Sequence, residues 1–292
     1  MELTALFLAL LFATLRLATP LIFAAMGGFM SERSGVVNVA LEGFMLSGAF
    51  VGAVVGHQFA SAWMGWVAAL LIGLCVGALY ALFVIELKAD QIISGMALNL
   101  LVMGLIPFIT KILYNSTGST PALLVEDRFR VEPLVMALLL VGVLTFWLYK
   151  TRSGLWLLFA GEHPQALLAS GVSVRKVHWA AVCASGAFAA WGGASLSLFL
   201  ASSYSPLMTG GRGFMALAAL IFGKWKPVPA FLACLLFAFA DAMQIRLQGV
   251  RIGEVEIPVQ FVQILPYLVT IIALAGFIGK SRSPKALGQE GF

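Results

Sequence analysis

The sequence predicts an all-α, polytopic membrane protein of about nine transmembrane or re-entrant helices, forming a single transmembrane domain over residues 1–292. The chain is 61% hydrophobic and 11% charged, whereas soluble domains carry about 25% charged residues. Its apolar residues occur in blocks of the length, about 20 residues, that crosses a hydrocarbon core of roughly 30 Å. A water-soluble fold is therefore excluded.

Short polar stretches separate the apolar blocks. Residues 31–34 form a polar turn after the first block, and residues 114–132 form a longer loop rich in polar and charged side chains. The seventh block is too short to cross a bilayer alone, which is typical of an interrupted segment beside a substrate path. In chain order, the predicted blocks are 3–29, 36–56, 62–87, 92–113, 133–149, 177–200, 214–223, 228–245 and 259–278.

The basic residues predict the orientation in the membrane. The net charge is +5, but Lys and Arg are confined to a few short loops, so they indicate topology and no nucleic-acid partner. Cytoplasmic loops keep such residues, which puts the loop at about 150–177 and the tail at about 279–292 inside, with the amino end outside. The residues used are Lys150, Arg152, Arg175, Lys176, Lys224, Lys226, Lys280, Arg282 and Lys285.

Two short motifs occur twice in the same order. The stretch AAMGG at residues 24–28 is echoed by AAWGG at 189–193, and the triplet Gly-Phe-Met at 43–45 returns at 213–215. With nine passes, the two copies lie in helices that run in opposite directions. This arrangement predicts an inverted internal repeat, as in many transporters. Chance similarity between helices rich in Gly and Ala is the alternative.

Polar side chains inside the apolar blocks are the candidates for a substrate pathway, because such groups are costly in hydrocarbon unless they face a polar interior. A helix–helix hydrogen bond is the alternative for each of them. Glu42 and Arg212 each precede a Gly-Phe-Met triplet, so we hypothesise that they form a charge pair. The candidate pathway residues are Asn38, Glu42, Phe44, Asn99, Arg212, Phe214, Asp241 and Gln244.

The loop at 150–177 contains a predicted short amphipathic helix. Pro164 suits the first helical turn and Gly171 suits a helix stop. Such a helix on the cytoplasmic face fits docking to a separate motor protein, and a membrane-surface helix without a partner is the alternative. The candidate coupling residues are Gly161, Glu162, His163, Pro164, Gly171, Val174 and Arg175.

Three stretches together carry a family resemblance. They are SERSGVVNVALEGFM at 31–45, GEHP at 161–164 with Gly171, and Ser185-Gly186 followed by AAWGGA at 189–194. Over nearly its whole length the chain resembles the ABC permeases of the branched-chain amino acid and ribose type. The run at 31–38 is most similar to their nucleoside and simple-sugar branch.

This resemblance implies a membrane-spanning permease subunit of an ATP-driven importer in the bacterial cytoplasmic (inner) membrane, with a fold like that of type II ABC importers. It implies a second, unlike permease subunit, with this chain as the shorter one of a heterodimer. It also implies cytoplasmic ABC ATPase subunits that use ATP and Mg, and an extracellular or periplasmic substrate-binding protein. The cargo would be a nucleoside, whose hydroxyls and base edges suit amide and carboxylate groups, or alternatively a simple sugar.

ATP hydrolysis by this chain itself is not predicted. A GxxxxGK[ST] loop is missing from the sequence, because the Gly-Lys pair at 223–224 is followed by Trp225, and the pair at 279–280, although followed by Ser281, lacks the upstream glycine. We therefore expect no catalytic residues, no metal site and no cofactor bound by this subunit.

Two other classes of membrane protein are alternatives to a permease subunit. An ion-coupled secondary transporter would use Glu42 or Asp241 as a proton carrier. A membrane-embedded enzyme would need a cluster of catalytic groups, whereas His57, His163 and His178 are scattered along the chain. The first class is the main alternative, and the second is disfavoured.

Overall fold

The computed structural model of the chain describes residues 2–116, 118–248, 251–252, 255–256, 264 and 282–289. Within these residues it forms ten α-helices and one two-stranded antiparallel hairpin, β1 (Arg251–Ile252) and β2 (Val255–Glu256). The helices are α1 (Glu2–Ser34), α2 (Leu41–Gln58), α3 (Ala62–Ala81), α4 (Gln91–Tyr114), α5 (Glu132–Lys150), α6 (Arg152–Glu162), α7 (Pro164–Ala169), α8 (Val174–Ser195), α9 (Arg212–Phe222) and α10 (Pro227–Leu247).

Two of the helices continue into a π-helical turn, α3 through Leu82–Glu86 and α8 through Leu196–Leu200. A short 3₁₀ turn, Val125–Asp127, precedes α5. Such π turns are rare and are found mostly as single turns at functional sites.

Six segments of the described chain are long and apolar enough to cross a membrane. Large apolar side chains such as Phe7, Leu100 and Phe146 are exposed along them, as expected where lipid replaces water. The prediction of an all-helical, multi-pass integral membrane protein is confirmed. The number nine is not, because the block at 259–278 lies outside the described residues except for Ile264. The six segments are Phe7–Ser34, Ala62–Glu86, Gln91–Tyr114, Val125–Lys150, Val174–Leu200 and Pro227–Leu247.

Helices α1 and α8 form the centre of the fold. They pack against each other, α1 also contacts α5, α6, α9 and α10, and α8 also contacts α2 and α3. Small residues allow this close packing, as is usual where no water drives helices together. A Cβ atom at Gly48 would collide with the backbone of Ala190, and one at Gly193 with the backbone of Met45.

Two predicted boundaries near the first helix are wrong. Residues 31–34 are the last turn of α1 and not a polar turn. Their polar side chains bind other segments of the chain, and the backbone keeps its helical conformation. Trp225 Nε1 donates to Glu32 Oε2 at 2.6 Å, and Arg33 forms an ion pair with Glu162 at 2.9 Å. The next helix starts only at Leu41, so residues 36–40 are not helical.

One end of the bundle, here called the α6–α7 end, gathers the predicted cytoplasmic segments. Arg175 forms an ion pair with Glu86 at the end of α3, and the Ala286 N–H donates to the Gly161 carbonyl at 2.8 Å. The end of α1, the loop at 150–177 and residues 282–289 therefore lie together.

The opposite end is covered by the loop before α5. The Leu123 N–H donates to the Ser202 carbonyl at 2.8 Å, and Thr120 exchanges two hydrogen bonds with Tyr204. Burial raises the pKa of the Tyr204 phenol to about 12, so this side chain stays neutral at physiological pH. The loop thereby holds residues 201–211, which lead into the short helix α9.

Candidate functional site

The break between α1 and α2 is the first unusual feature inside the bundle. Gly35 ends α1 with a φ of +110°, a backbone conformation that L side chains rarely adopt. The following residues, 36–40, carry backbone groups that must be paired because no water reaches the interior. Side chains of two helices, α3 and α4, supply partners. The bonds join Gln91 Oε1 to the Val37 N–H (2.7 Å), the Tyr80 hydroxyl to the Val37 carbonyl (2.7 Å), and Asn99 Nδ2 to the Val39 carbonyl (2.9 Å).

Asn38 connects this break to the central helix α8. Its Nδ2 donates to Ser185 Oγ at 2.8 Å, and its Oδ1 accepts from the Ala40 N–H at 3.0 Å. Asn38 and Ser185 are both fully buried. The hydrogen bonds of this predicted pathway residue are thus made within the chain.

Glu42 lies in the first turn of α2 and binds the start of α9. Its carboxylate accepts from the Thr209 hydroxyl at 2.5 Å, the Gly211 N–H at 2.9 Å and the Gly213 N–H at 2.7 Å. Only 5% of the residue is exposed. The first N–H groups of a helix lack intrahelical partners and attract negative charge, so a buried carboxylate is well accommodated there.

Asn99 and Phe44 complete this packed region. Asn99 Oδ1 accepts from the Gly43 N–H at 2.7 Å and so caps the start of α2. Phe44 is completely buried and lies edge-on to Tyr80, with ring centroids 6.1 Å apart. Both residues were predicted to line a pathway, and both are enclosed by neighbouring helices.

The other four predicted pathway residues lie on α9 and α10 and are less enclosed. Phe214 is 48% exposed, and Arg212, Asp241 and Gln244 are partly exposed. Arg212 donates only to carbonyls of its own turn, and its Nε is buried without a partner among the described residues. Asp241 has an electrostatic interaction with Arg212. It forms no hydrogen bond to the part of the chain that the structure describes.

The charge pair hypothesised between Glu42 and Arg212 does not form. Glu42 binds a hydroxyl and two backbone N–H groups of the α9 start, while the Arg212 guanidinium turns back to the carbonyls of Met208 and Thr209. The repeat motif correctly brings the two chain segments together, because a Cβ atom at Gly213 would lie only 2.5 Å from the Glu42 nitrogen. Sequence reasoning missed that backbone N–H groups would satisfy the carboxylate.

The coupling residues form a bent unit of two helices, α6 and α7, where a single helix was expected. Pro164 stands at the start of α7 as predicted, and His163 is the residue between the helices. Gly171, with a φ of +82°, follows the end of α7 as predicted for a helix stop. Val174 is buried, and Arg175 reaches Glu86 with its Nε at 2.7 Å from Oε1.

The junction of α6 and α7 is attached to the end of α1. Glu162 forms its ion pair with Arg33, and a Cβ atom at Gly161 would collide with the Arg33 carbonyl oxygen. Glu162 thus lies three residues of α1 away from the break at 36–40.

A cavity of about 480 Å³ lies beside α6, and its walls are almost entirely apolar. One face of α6 therefore borders open space, while the helix also packs against α1, α5 and α8. The lining residues are Met30, Trp147, Ser153, Trp156, Leu157, Val172, Ser173, Lys176, Val177, Ala180, Ala181 and Ala184.

A buried helix break with a short helix opposite it, inside a bundle of membrane-spanning helices, is typical of a membrane transport protein. Residues 10–274 match the family model described as the permease component of the branched-chain amino acid transport system. Since this match covers most of the chain, the protein belongs to that family of ABC transporter permeases, as the sequence motifs predicted.

Three relatives extend over almost the full chain. The guanosine ABC transporter permease protein NupQ of Bacillus subtilis is 36% identical, covering 94% of both chains. The nucleoside ABC transporter permease protein NupC of Lactococcus lactis is 37% identical, covering 93% of this chain and 92% of the relative. The putative glucose ABC transporter permease protein TsgC13 of Haloferax volcanii is 34% identical, covering 96% of both. None of the solved structures matches this chain.

Proposed function

We propose that this chain is the membrane-spanning permease subunit of an ATP-driven importer of nucleosides. The observation that carries the proposal is the connection of the α6–α7 unit, through the Glu162–Arg33 ion pair, to the buried break that positions Glu42. In such an importer a separate ATPase moves the α6–α7 unit, and the break passes this movement to the substrate path.

The nucleoside cargo is supported by two relatives, one named for guanosine and one for nucleosides. A third relative is named for glucose, so a simple sugar is the alternative cargo. Partly exposed polar groups and an exposed aromatic ring on α9 and α10 suit a nucleoside, because its hydroxyls bind to polar side chains and its base stacks on a ring.

The pathway in this proposal is lined by Arg212, Phe214, Asp241 and Gln244. Their support is that all four are at least partly exposed, and that the Arg212 Nε has no partner among the described residues. The other four candidates, Asn38, Glu42, Phe44 and Asn99, form the frame that holds the start of α9 in place. Glu42 therefore acts as an acceptor of three hydrogen bonds, not as a proton carrier.

The ATPase would dock on α7 and the surrounding residues at the α6–α7 end, which would face the cytoplasm. The concentration of basic residues at this end supports that orientation. ATP and Mg would be bound by the ATPase, and a binding protein would deliver the nucleoside at the opposite end. The residues that carry coupling are Gly161, Glu162, His163, Pro164, Gly171, Val174 and Arg175.

We further propose that the two halves are inverted repeats and that a second, unlike permease subunit completes the pathway. Reciprocal contacts at the crossing of α1 and α8 support the repeat. Cβ atoms at Gly27 and Gly192, equivalent residues of the AAxGG motifs, would lie 3.4 Å from the Ala189 Cβ and 3.3 Å from the Ala24 nitrogen, respectively. Ala24 and Ala189 are also equivalent, as a pseudo-two-fold axis requires.

Reconstituted transport tests the proposal. Proteoliposomes would contain this chain with its partner permease and ATPase, the binding protein outside, and radiolabelled nucleosides or pentoses. We expect nucleoside uptake only when ATP is present on the ATPase side. Uptake of pentoses alone would show that the cargo is a sugar. Uptake that does not depend on ATP but follows the membrane potential would show that the protein is a secondary transporter.

A further inference from the structure

Residues 284–288, here called the tail clasp, lie across the junction of α6 and α7. The Ala286 N–H donates to the Gly161 carbonyl at 2.8 Å, and the Gly288 N–H donates to the Gly35 carbonyl at 3.1 Å. Ala286 is buried and Leu287 packs against the hydrophobic core. The tail clasp thus bonds to two separate parts of the chain.

The two acceptor carbonyls belong to the two segments that the tail clasp connects, the end of α6 and the residue that follows α1. Gly161 is the second-last residue of α6, directly before Glu162. Gly35 follows α1 and begins the connection to the buried break at 36–40. The space above Gly35 is closed by the carbonyl oxygen of Ala286, which a Cβ atom there would approach to 3.4 Å. The tail clasp therefore joins the coupling unit to the chain that leads to Glu42.

The tail clasp also has its own internal structure. The Leu287 N–H donates to the Pro284 carbonyl at 3.1 Å, and the Gln289 N–H donates to the Ala286 carbonyl at 3.1 Å. These two turns present the Ala286 and Gly288 N–H groups to their acceptors. A preformed turn loses less conformational freedom on binding than an extended tail would lose.

The other contacts between α6 and the end of α1 hold these two segments less firmly. The Arg33–Glu162 ion pair is partly exposed on both partners, and pairs of this kind hold their partners only loosely. The far side of α6 faces the apolar cavity. Backbone hydrogen bonds keep a fixed length and direction, so the tail clasp adds a defined connection between α6 and the residue that follows α1.

We propose that the tail clasp is a positioning element for coupling: it holds the α6–α7 unit against the α1–α2 break, so that movement of α7 reaches residues 36–40 and Glu42. The inference rests on the proposed role of α6 and α7 as the ATPase contact. Without the tail clasp, α6 shifts into the space of the cavity, and ATP hydrolysis continues without transport.

The test uses the full chain in its complex with the partner permease, ATPase and binding protein, and measures nucleosides transported per ATP hydrolysed. Ala286→Pro removes the N–H that binds Gly161, and Ser283→Pro is the matched control, since Ser283 is exposed and outside the tail clasp. Losing one hydrogen bond of this kind shifts a two-state equilibrium about fivefold. We expect transport per ATP to fall about fivefold in Ala286→Pro and to stay unchanged in Ser283→Pro.

Gly288→Pro gives a second measurement if Ala286→Pro does not assemble, because it removes the other N–H, the one that binds Gly35, and its native φ of +74° is closed to proline. Melting temperature and complex assembly are measured for each variant. Unchanged transport per ATP in an assembled Ala286→Pro or Gly288→Pro complex overturns the proposal. If Glu162→Gln reduces coupling while both tail variants keep it, the tail clasp alone is refuted and the role of α6 and α7 stands.

Discussion

The two Gly-Phe-Met triplets are identical in sequence but have opposite surroundings. At the start of α2, Phe44 is completely buried and the preceding Glu42 has three hydrogen-bond donors. At the start of α9, Phe214 is half exposed and the preceding Arg212 keeps a buried Nε without a partner in the described chain. The first copy forms a closed frame, and the second presents unused groups. Identical local sequence can therefore stand in a fully enclosed environment and in a half-exposed one.

The largest expected effect comes from filling the contact between the two triplets. A Cβ atom at Gly213 would lie 2.5 Å from the Glu42 nitrogen, so Gly213→Leu forces the backbones of α2 and α9 apart. We expect no folded, monodisperse protein in size-exclusion chromatography, because the side chain would enter a contact between two backbones, which cannot yield without separating the helices. Gly142→Leu is the control, since open space surrounds Gly142, and a normal yield of Gly213→Leu would contradict the contact.

The two phenylalanines sharpen the comparison directly. Phe44→Ala empties a fully enclosed site and is expected to lower the free energy of unfolding by about 3–5 kcal/mol. Phe214→Ala removes a ring that is 48% exposed, so its cost should be less than half as large while nucleoside uptake falls. Unfolding in mixed detergent micelles and uptake in proteoliposomes measure the two effects. Equal destabilisation by both variants would show that the two triplets have similar surroundings.

As with the two phenylalanines, substitution of Glu42 should lower stability more than substitution of Arg212. Glu42→Ala leaves three donors at the start of α9 unpaired, and each unpaired buried group costs about 1–3 kcal/mol. Arg212→Gln breaks no ion pair and should change the melting temperature little but reduce uptake. Because the two side chains do not bind each other, we expect the double variant Glu42→Arg, Arg212→Glu to be no more stable than Glu42→Arg alone. Recovery of stability in the charge swap would restore the ion-pair hypothesis.

The smallest effect on stability is expected at the α6–α7 junction. Glu162→Gln weakens a partly exposed ion pair, which contributes about 0–1 kcal/mol. Its melting temperature should therefore stay near that of the unmodified protein, while transport per ATP declines. Arg282→Gln is a control, because it removes an exposed charge at the same end, outside the tail clasp, and no ion pair among the described residues. A normal ratio of transport to hydrolysis in Glu162→Gln would remove Glu162 from the coupling path.

The local sequence predicted which helices form better than it predicted the residues at which they begin and end. The apolar blocks up to residue 245 all contain helices, and Pro164 and Gly171 bound α7 as expected, because proline and glycine act through their own backbone geometry. The break at 36–40 was not predicted, since its residues are mostly apolar and read as part of a span. Its stability comes from side chains of α3, α4 and α8 that are distant in sequence.

The sequence by itself determined that this chain is a multi-pass membrane protein of the ABC permease family, because hydrocarbon demands long apolar helices and because the motifs are contiguous. Only the tertiary structure decided which of its polar residues are enclosed and hydrogen-bonded within the chain and which stay partly exposed. A carboxylate or amide in a membrane needs partners, and the sequence does not reveal whether those partners are backbone groups across the bundle. Glu42 and Asp241 would read alike in sequence, yet the first binds three donors and the second binds none among the described residues.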